Sequence, residues 1–408
     1  MCKDKKDILF LCQFFYPEYV SSATLPFDTA KKLSNSGFSV GALCGYPKEY
    51  NNKGKVPIKE KVDNIFIHRL KYLQIGRRSF IGRLINYFSF TFSVLLHFRE
   101  LGKYKSVIVY SNPPILPYLA YLAKKIYGIK LIFVAYDLYP ELAVRTGTTS
   151  ESGMISKVMK FINKKVYKNA TCVVALSNEM RQFIIENRNI KSKKVVVIPN
   201  WYEDVLDDKK ENKSNNRFAE KYAGKLVVSY FGNMGVCQDM ETILDTMRIL
   251  KDNSKIQFML AGHGCKVEEL KKVIQAEQIK NVDIYDFLLG RDYQEALEIS
   301  DVSIVSLLEG LTGLCVPSKT YGYMSAGCPL IVIMGNSDIV REIQKKKAGI
   351  TVSNGESQKI AEFLVDINGD EDKIKRMGGN SRQIFMQKYT KKVCTMEYVV
   401  LFRKILGK

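Results

Sequence analysis

Short continuous apolar runs recur along the chain, each closed by turn residues and followed by a stretch with helical spacing. "DILFLCQFF" (7–15) is such a run, the pattern of a parallel strand buried on both faces. "LPFDTAKKLSNSGFSVGALCG" (25–45) reads as a helix stopping at Gly37 and then a second strand, a βαβ opening. Strands follow at "YKSVIVYSNPP" (104–114), "IKLIFVAYDLYP" (129–140), "ATCVVALS" (170–177) and "KVVVIPN" (194–200). "PYLAYLAKKIYG" (117–128) is a helix between the first two of these, and Ser177 is placed to cap the helix that opens at Asn178.

At 202–225 the pattern breaks. This polar, charged stretch is poor in large aliphatics and reads as a linker with an entry helix. A second alternating series then begins, with strands at 226–232, 256–262, 282–288, 302–308 and 329–335, and a last helix at about 391–407. The reading is therefore α/β, with two doubly wound Rossmann-like domains facing across a cleft. The expected division is 1–201, 202–390, and a C-terminal helix 391–408 packing back towards the first domain. Ligands in such sheets sit at the carboxyl ends of the strands, so the loops there carry the candidate chemistry.

Composition sharpens the picture in two places. The 408 residues carry a formal net charge of +20, and residues 53–105 hold twelve lysines and arginines against three acids. Within that region "RLKYLQIGRRSFIGRLINYFSFTFSVLLHFRELGKYK" (69–105) sets an aromatic-rich amphipathic helix between cationic flanks. Such a segment lies in a membrane interface beside anionic headgroups, or it is a core helix with a solvated basic loop. Arg77, Arg78 and Arg83 are the cations expected to face a membrane. Its uncharged core, 84–98, is too short to span a bilayer. No nucleic-acid module accompanies the charge, so nucleic acid is not an expected partner. Nine cysteines without a C-x-x-C pair, mostly in apolar runs, fit thiols in a reducing cytosol.

The candidate chemistry sits at strand ends. In "SYFGNMGVCQDMETILDTM" (229–247) a strand ends at Phe231, and Gly232, Asn233, Met234 and Gly235 make a tight loop before a helix that begins near Asp239. Glycines there let backbone N–H groups approach an anion such as a diphosphate; a plain βα turn would use them equally well. "VPSKTYGYMSAGCP" (316–329) opens a short helix at Ser318, expected as its cap, with Lys319 beside the first amides. Hydroxyl, amides and ammonium make a compact anion site, although a lone Ser-Lys pair is more often a capped surface helix. Asp137 stands at a strand end, free to hold a sugar hydroxyl, to act as a base, or to cap the next helix, with Glu141 in that helix's first turn. His263, at the tip of a Gly-His-Gly turn, reads as a turn residue more often than as a catalyst, and His68 and His97 as packing residues. Glu18, Ser21 and Ser22 lie in the loop after the first strand, where small side chains let a ligand approach a helix N-terminus. No clustered histidines and no paired aspartates suggest a metal site.

These segments resemble a known family. The paired halves joined near "VIPNW", with "FGNMGVCQDMETIL" and "VPSKTYGYMSAGCPLIV", are similar to glycosyltransferase family four of GT-B fold. The likeness is strongest to sugar transferases of bacterial capsule and O-antigen assembly. The resemblance implies a nucleotide-sugar donor on the C-terminal half, and an acceptor on the N-terminal half. It also implies retention of anomeric configuration, no metal, and no cofactor beyond the donor itself. Carried onto this chain, the donor diphosphate meets Gly232, Asn233, Met234, Gly235, Ser318 and Lys319, and Asp137 is the acidic residue of the first half. The family's paired glutamates, with seven residues between them, are missing: Leu314 and Gly322 stand there, and Glu309 is acidic but out of register. His263, Glu309 and Gly322 are thus the candidates around the donor's sugar or nucleoside.

The expectation is a retaining, metal-independent transferase. It moves a hexosyl or N-acetylaminosugar group from a UDP-sugar to a polyprenyl-diphosphate-linked saccharide, at the cytoplasmic face of the cell membrane. The alternatives are a GT-B-shaped nucleotide-sugar epimerase and a non-catalytic membrane-surface binding protein of the same fold.

Overall fold

A computed structural model describes residues 5–48, 51, 54–76, 80–204 and 216–408. The chain divides into two compact units. Unit 1 comprises Met1–Pro199, Gly313–Val316 and Lys392–Lys408; unit 2 comprises Asn200–Thr312 and Pro317–Lys391.

In unit 1, β1 (Lys6–Cys12) leads through α1 (Ser21–Asn35) to β2 (Val40–Gly45), and the pair β3 (Lys59–Val62) and β4 (Ile65–Leu70) follows. Then come α2 (Phe80–Leu96), β5 (Tyr104–Tyr110), α3 (Leu116–Tyr127), β6 (Lys130–Ala135), α4 (Glu141–Arg145) and α5 (Met154–Asn169). β7 (Cys172–Ala175), α6 (Asn178–Asn187) and β8 (Val195–Val197) complete this half. Among the described residues eight strands form one sheet, ordered β3-β4-β2-β1-β5-β6-β7-β8. All pairs are parallel except β3 with β4. Helices cover both faces of such a sheet, and so the central strands are apolar throughout: β2 is buried at every position. From β5 to β8 each crossover steps the same way along the sheet. Right-handed connection therefore puts α3, α5 and α6 on one face, and the step from β4 to β5 adds α2 to them.

One buried carboxylate ties the ends of unit 1 together. Asp7 accepts from the Ser39 amide at 2.9 Å and from Lys408 Nζ at 2.6 Å. Burial alone would raise its carboxyl, but Lys408, Ser39 and Lys105 bring it down to about 2. Nearby, Phe402, fully buried, meets the Phe38 ring.

Unit 2 runs β9 (Leu226–Asn233), α7 (Glu241–Ile249), β10 (Ile256–His263), α8 (Val267–Ala276), β11 (Val282–Tyr285), α9 (Arg291–Glu298) and β12 (Val302–Ser306). It continues with α10 (Lys319–Ser325), β13 (Leu330–Ile333), α11 (Asp338–Lys346), β14 (Gly349–Val352), α12 (Ser357–Ile367) and α13 (Glu371–Lys388). α14 (Lys391–Leu406) lies almost wholly in unit 1. The sheet is ordered β11-β10-β9-β12-β13-β14, all parallel, over a core that includes Tyr230, Met234, Ile243 and Phe258. No helix among the described residues is long and apolar enough to cross a membrane.

Candidate active site

The centre of interest in unit 2 is where β9 and β10 run side by side to their carboxyl ends. Gly232 pairs with Gly262 and Asn233 with His263, so β9 continues two residues past Phe231. Gly262 has φ +154°, and a Cβ there would lie 1.8 Å from the Gly232 carbonyl oxygen. Only glycine permits that approach, which brings the backbone of both strands to one point.

Lys319, the first residue of α10, reaches that point. A Cβ on Gly232 would be 3.6 Å from Lys319 Cε and 3.8 Å from its Nζ. The Nζ lies 3.4 Å from the centroid of the Tyr230 ring. It is shielded from water and has no hydrogen-bond partner. Burial holds the ammonium well below the ordinary lysine value. A buried donor without an acceptor is costly, and its chemistry calls for an anion against Gly232.

The rest of the loop is differently disposed from the sequence reading. Met234 is fully buried in the core, and its amide donates to the His263 carbonyl at 2.7 Å. The Gly235 amide donates to Gln238 Oε1 at 3.1 Å. These two amides are therefore already engaged. Asn233 is exposed, its Nδ2 3.4 Å from the same Gln238 oxygen. Ser318 does not cap α10: it is exposed, already helical at φ −64°, and makes no side-chain bond to the helix amides. Thr320 Oγ1 donates instead to the Pro317 carbonyl at 2.7 Å. α7 is fixed by Asp239, whose carboxylate accepts from the Thr242 amide at 3.0 Å and the Thr242 hydroxyl at 2.6 Å.

In unit 1, Asp137 stands two residues past β6, half-buried in a pocket with Ser111, Tyr139, Asn163 and Tyr167. It does not cap α4, which begins after Pro140 with no side-chain cap. Burial pushes its carboxyl up to about 6. The loop is held firmly. Ser111 Oγ accepts the amides of Tyr136 and Asp137 at 3.1 and 3.2 Å. The Leu138 amide donates to the Leu314 carbonyl at 2.8 Å. Arg188 bonds both oxygens of Glu141 and the Tyr139 carbonyl, and Asn163 donates to that same carbonyl. A carboxyl that titrates near neutrality on a rigid loop can accept a proton from a hydroxyl.

Two family models match. The one described as Glycosyltransferase Family 4 matches residues 24–204, and the one described as Glycosyl transferases group 1 matches residues 225–370. The first falls largely on unit 1 and the second largely on unit 2. The chain belongs to glycosyltransferase family four. The transferase is 26% identical over 322 residues to "Probable glycosyltransferase WbjE" of Pseudomonas aeruginosa, covering 78% of this chain and 79% of that protein. A relative named for colanic acid biosynthesis, the glycosyl transferase WcaI of Escherichia coli, is 21% identical over 197 residues, 47% of each chain. The crystal structure of HepE from Anabaena in complex with UDP-glucose superposes with a TM-score of 0.71 at 15% identity, covering 98% of this chain and 99% of that one. That likeness shows the fold, which is GT-B. The protein is a glycosyltransferase.

Gly322 is buried inside α10; a Cβ there would meet Tyr293 Oη at 3.0 Å and the Tyr202 ring at 3.6 Å. Two tyrosines thus fill the space that a glutamate side chain would need. Leu314 is buried in unit 1. Glu309 is exposed on a turn. His263 is the last residue of β10, exposed, with its ring edge-on to Phe287 at 5.0 Å. Ser21 and Ser22 are not in a loop: they are the first residues of α1, and Glu18 is buried, its Oε2 3.4 Å from the Phe15 amide. His68 and His97 stack edge to face at 5.3 Å, with Glu100 3.0 Å from His68 Nδ1. Arg83 is exposed on α2; Arg77 and Arg78 lie outside the described residues. Among the described residues no group of three or more His, Cys, Asp or Glu could hold a metal ion. Sequence reasoning missed Tyr230 and Gln238, because one sits in an apolar strand and the other in an unremarkable polar turn.

Proposed function

We propose that the transferase moves a sugar from a nucleotide-diphosphate donor, UDP-linked, to a polyprenyl-diphosphate-linked saccharide. The observation that carries this reading is Lys319, a buried ammonium without a partner, set against Gly232. The UDP-glucose complex of HepE, a protein of the same fold, supports a nucleotide-sugar donor. As the bond from the anomeric carbon to the diphosphate oxygen breaks, charge collects on the leaving diphosphate. The Lys319 ammonium, fixed before the reaction, stabilises that charge without a metal ion. The acceptor oxygen bonds to the anomeric carbon on the face that the diphosphate leaves, so configuration is retained, and its proton passes to Asp137. The sugar is a hexosyl or N-acetylaminosugar group. The polyprenyl chain keeps the acceptor at the inner face of the cell membrane, where Arg83 and the exposed Phe88 and Phe92 of α2 meet the lipid. Calorimetric titration with UDP tests the donor site. Binding that survives chelator and is lost in Lys319→Met supports it; equal binding by both proteins removes Lys319 from the site.

A further inference from the structure

α5 carries a second exposed surface that the transfer reaction does not use. Its exposed positions are Met154, Lys157, Val158, Lys160, Phe161, Lys164 and Lys168, and all but Lys160 fall on one stripe of the helix. Met154 is 77% exposed, Phe161 51% and Val158 44%, too much large apolar surface on one stripe for a helix that faces only water. The helix has no acidic residue and five lysines. Lys165 Nζ lies 5.6 Å from the centroid of the Phe161 ring. The apolar end of the stripe is extended by α3, where Tyr118 meets Phe161 at 5.9 Å and Tyr121 at 5.5 Å.

The opposite side of α5 lines the Asp137 pocket through Met159 and Asn163. The helix therefore has its back to the candidate acceptor site and its apolar, cationic side turned outward. α3 packs against both α5 and α2, so the exposed residues of α2 and α5 lie on the same helical layer of unit 1. We infer that the outer face of α5, with Tyr118 and Tyr121 of α3, is a second contact with an anionic lipid surface. Apolar residues enter the interface and lysines pair with headgroups, while the pocket on the inner side of the helix stays close to the membrane. Lysine density without acids selects lipid over a typical protein partner, whose contact centre is depleted of lysine. This rests on the reading of the transferase as a membrane-surface enzyme, and its test separates the two.

The measurement is flotation of the full chain with phosphatidylcholine vesicles, with and without phosphatidylglycerol. Three double variants are compared with wild type: Val158→Ser/Phe161→Ser and Lys157→Gln/Lys164→Gln on α5, and Phe88→Ser/Phe92→Ser on α2. All six side chains are exposed or half-buried, and melting curves check that each variant folds. The expected result is wild-type binding to anionic vesicles only. Each lysine removed should weaken it about fivefold, and the apolar α5 variant should weaken it about tenfold. If both α5 variants bind like wild type while the α2 variant fails, the inference is wrong and the α2 contact stands. If wild type does not bind anionic vesicles, both readings fall. If the α5 substitutions leave vesicle binding intact but convert a dimer to a monomer, the face belongs to a second copy of the chain, and the inference is overturned.

Discussion

Replacing Lys319 by methionine should make the free protein more stable while it destroys the donor site. The side chain keeps its length, and its terminal atom no longer needs a hydrogen bond. In wild type that atom is buried without a partner, which costs about 1–3 kcal/mol and more when charged. The Tyr230 ring at 3.4 Å returns about 0.5–2 kcal/mol. The difference leaves a net gain of about 1 kcal/mol for methionine, a rise of about 2–4 °C in Tm for a unit of this size. The gain has a pH signature. A lysine held below its ordinary value binds its proton less tightly in the folded chain than in the unfolded one. Its penalty is therefore full at low pH and fades as pH rises towards 10.5. The stability difference between variant and wild type should shrink over that alkaline range. Binding moves the other way: loss of a charge-assisted contact of about 2–3 kcal/mol raises the Kd for UDP about 30–150-fold. Donor binding should also raise the proton affinity of Lys319, so the pH dependence of UDP binding on the alkaline side should be present in wild type and absent in the variant. A Lys319→Met protein that is less stable than wild type without ligand would refute the reasoning.

Three further outcomes follow from the same geometry. Asp137→Asn should lower kcat by about 100-fold or more and remove an acidic limb near pH 6 from the rate profile; above pH 6 the variant should melt no lower than wild type, because the carboxyl's charge is disfavoured by burial. Asp7→Asn should cost about 1–2 kcal/mol at pH 7, since a carboxyl held at about 2 stabilises the fold above its unfolded value of 3.8. In acid that difference should disappear as pH falls through about 2, which acid titrations followed by circular dichroism will show. Gly262→Ala must push its methyl away from the Gly232 carbonyl, so it should lose about 2–4 kcal/mol in denaturant melts and weaken UDP binding.

The strands of both units were legible because parallel strands buried on two faces are apolar at nearly every position, and their short length and flanking turn residues set them apart from buried helices. Boundaries were less legible. α1 begins at Ser21, four residues before the expected start, although it has no side-chain cap and carries Pro26 within it. The antiparallel β3 has an alternating exposed pattern, "KEKV", which a search for apolar runs passes over. At the site, sequence placed Asp137 past the end of its strand and Lys319 in the first turn of a helix, as the structure has them, whereas Gly232, read as the loop after a strand, lies within β9. It could not show that the Met234 and Gly235 amides are engaged by His263 and Gln238, because those partners are set by the register of β9 and β10. Nor could it show that Ser318 is helical rather than a cap, or that Tyr202 and Tyr293 fill the space before Gly322. Each of these depends on contacts between segments distant in the chain.

The central claim is sugar transfer from a nucleotide diphosphate to a separate acceptor. The most direct test incubates the purified protein with a panel of UDP-sugars, with chelator throughout, in the presence and absence of polyprenyl-diphosphate-linked saccharides. UDP release and the product's anomeric configuration are then read. The account predicts release that requires the acceptor, persists in chelator, and yields a product with the donor's configuration. Conversion of the donor without any acceptor, or a product of inverted configuration, would contradict it.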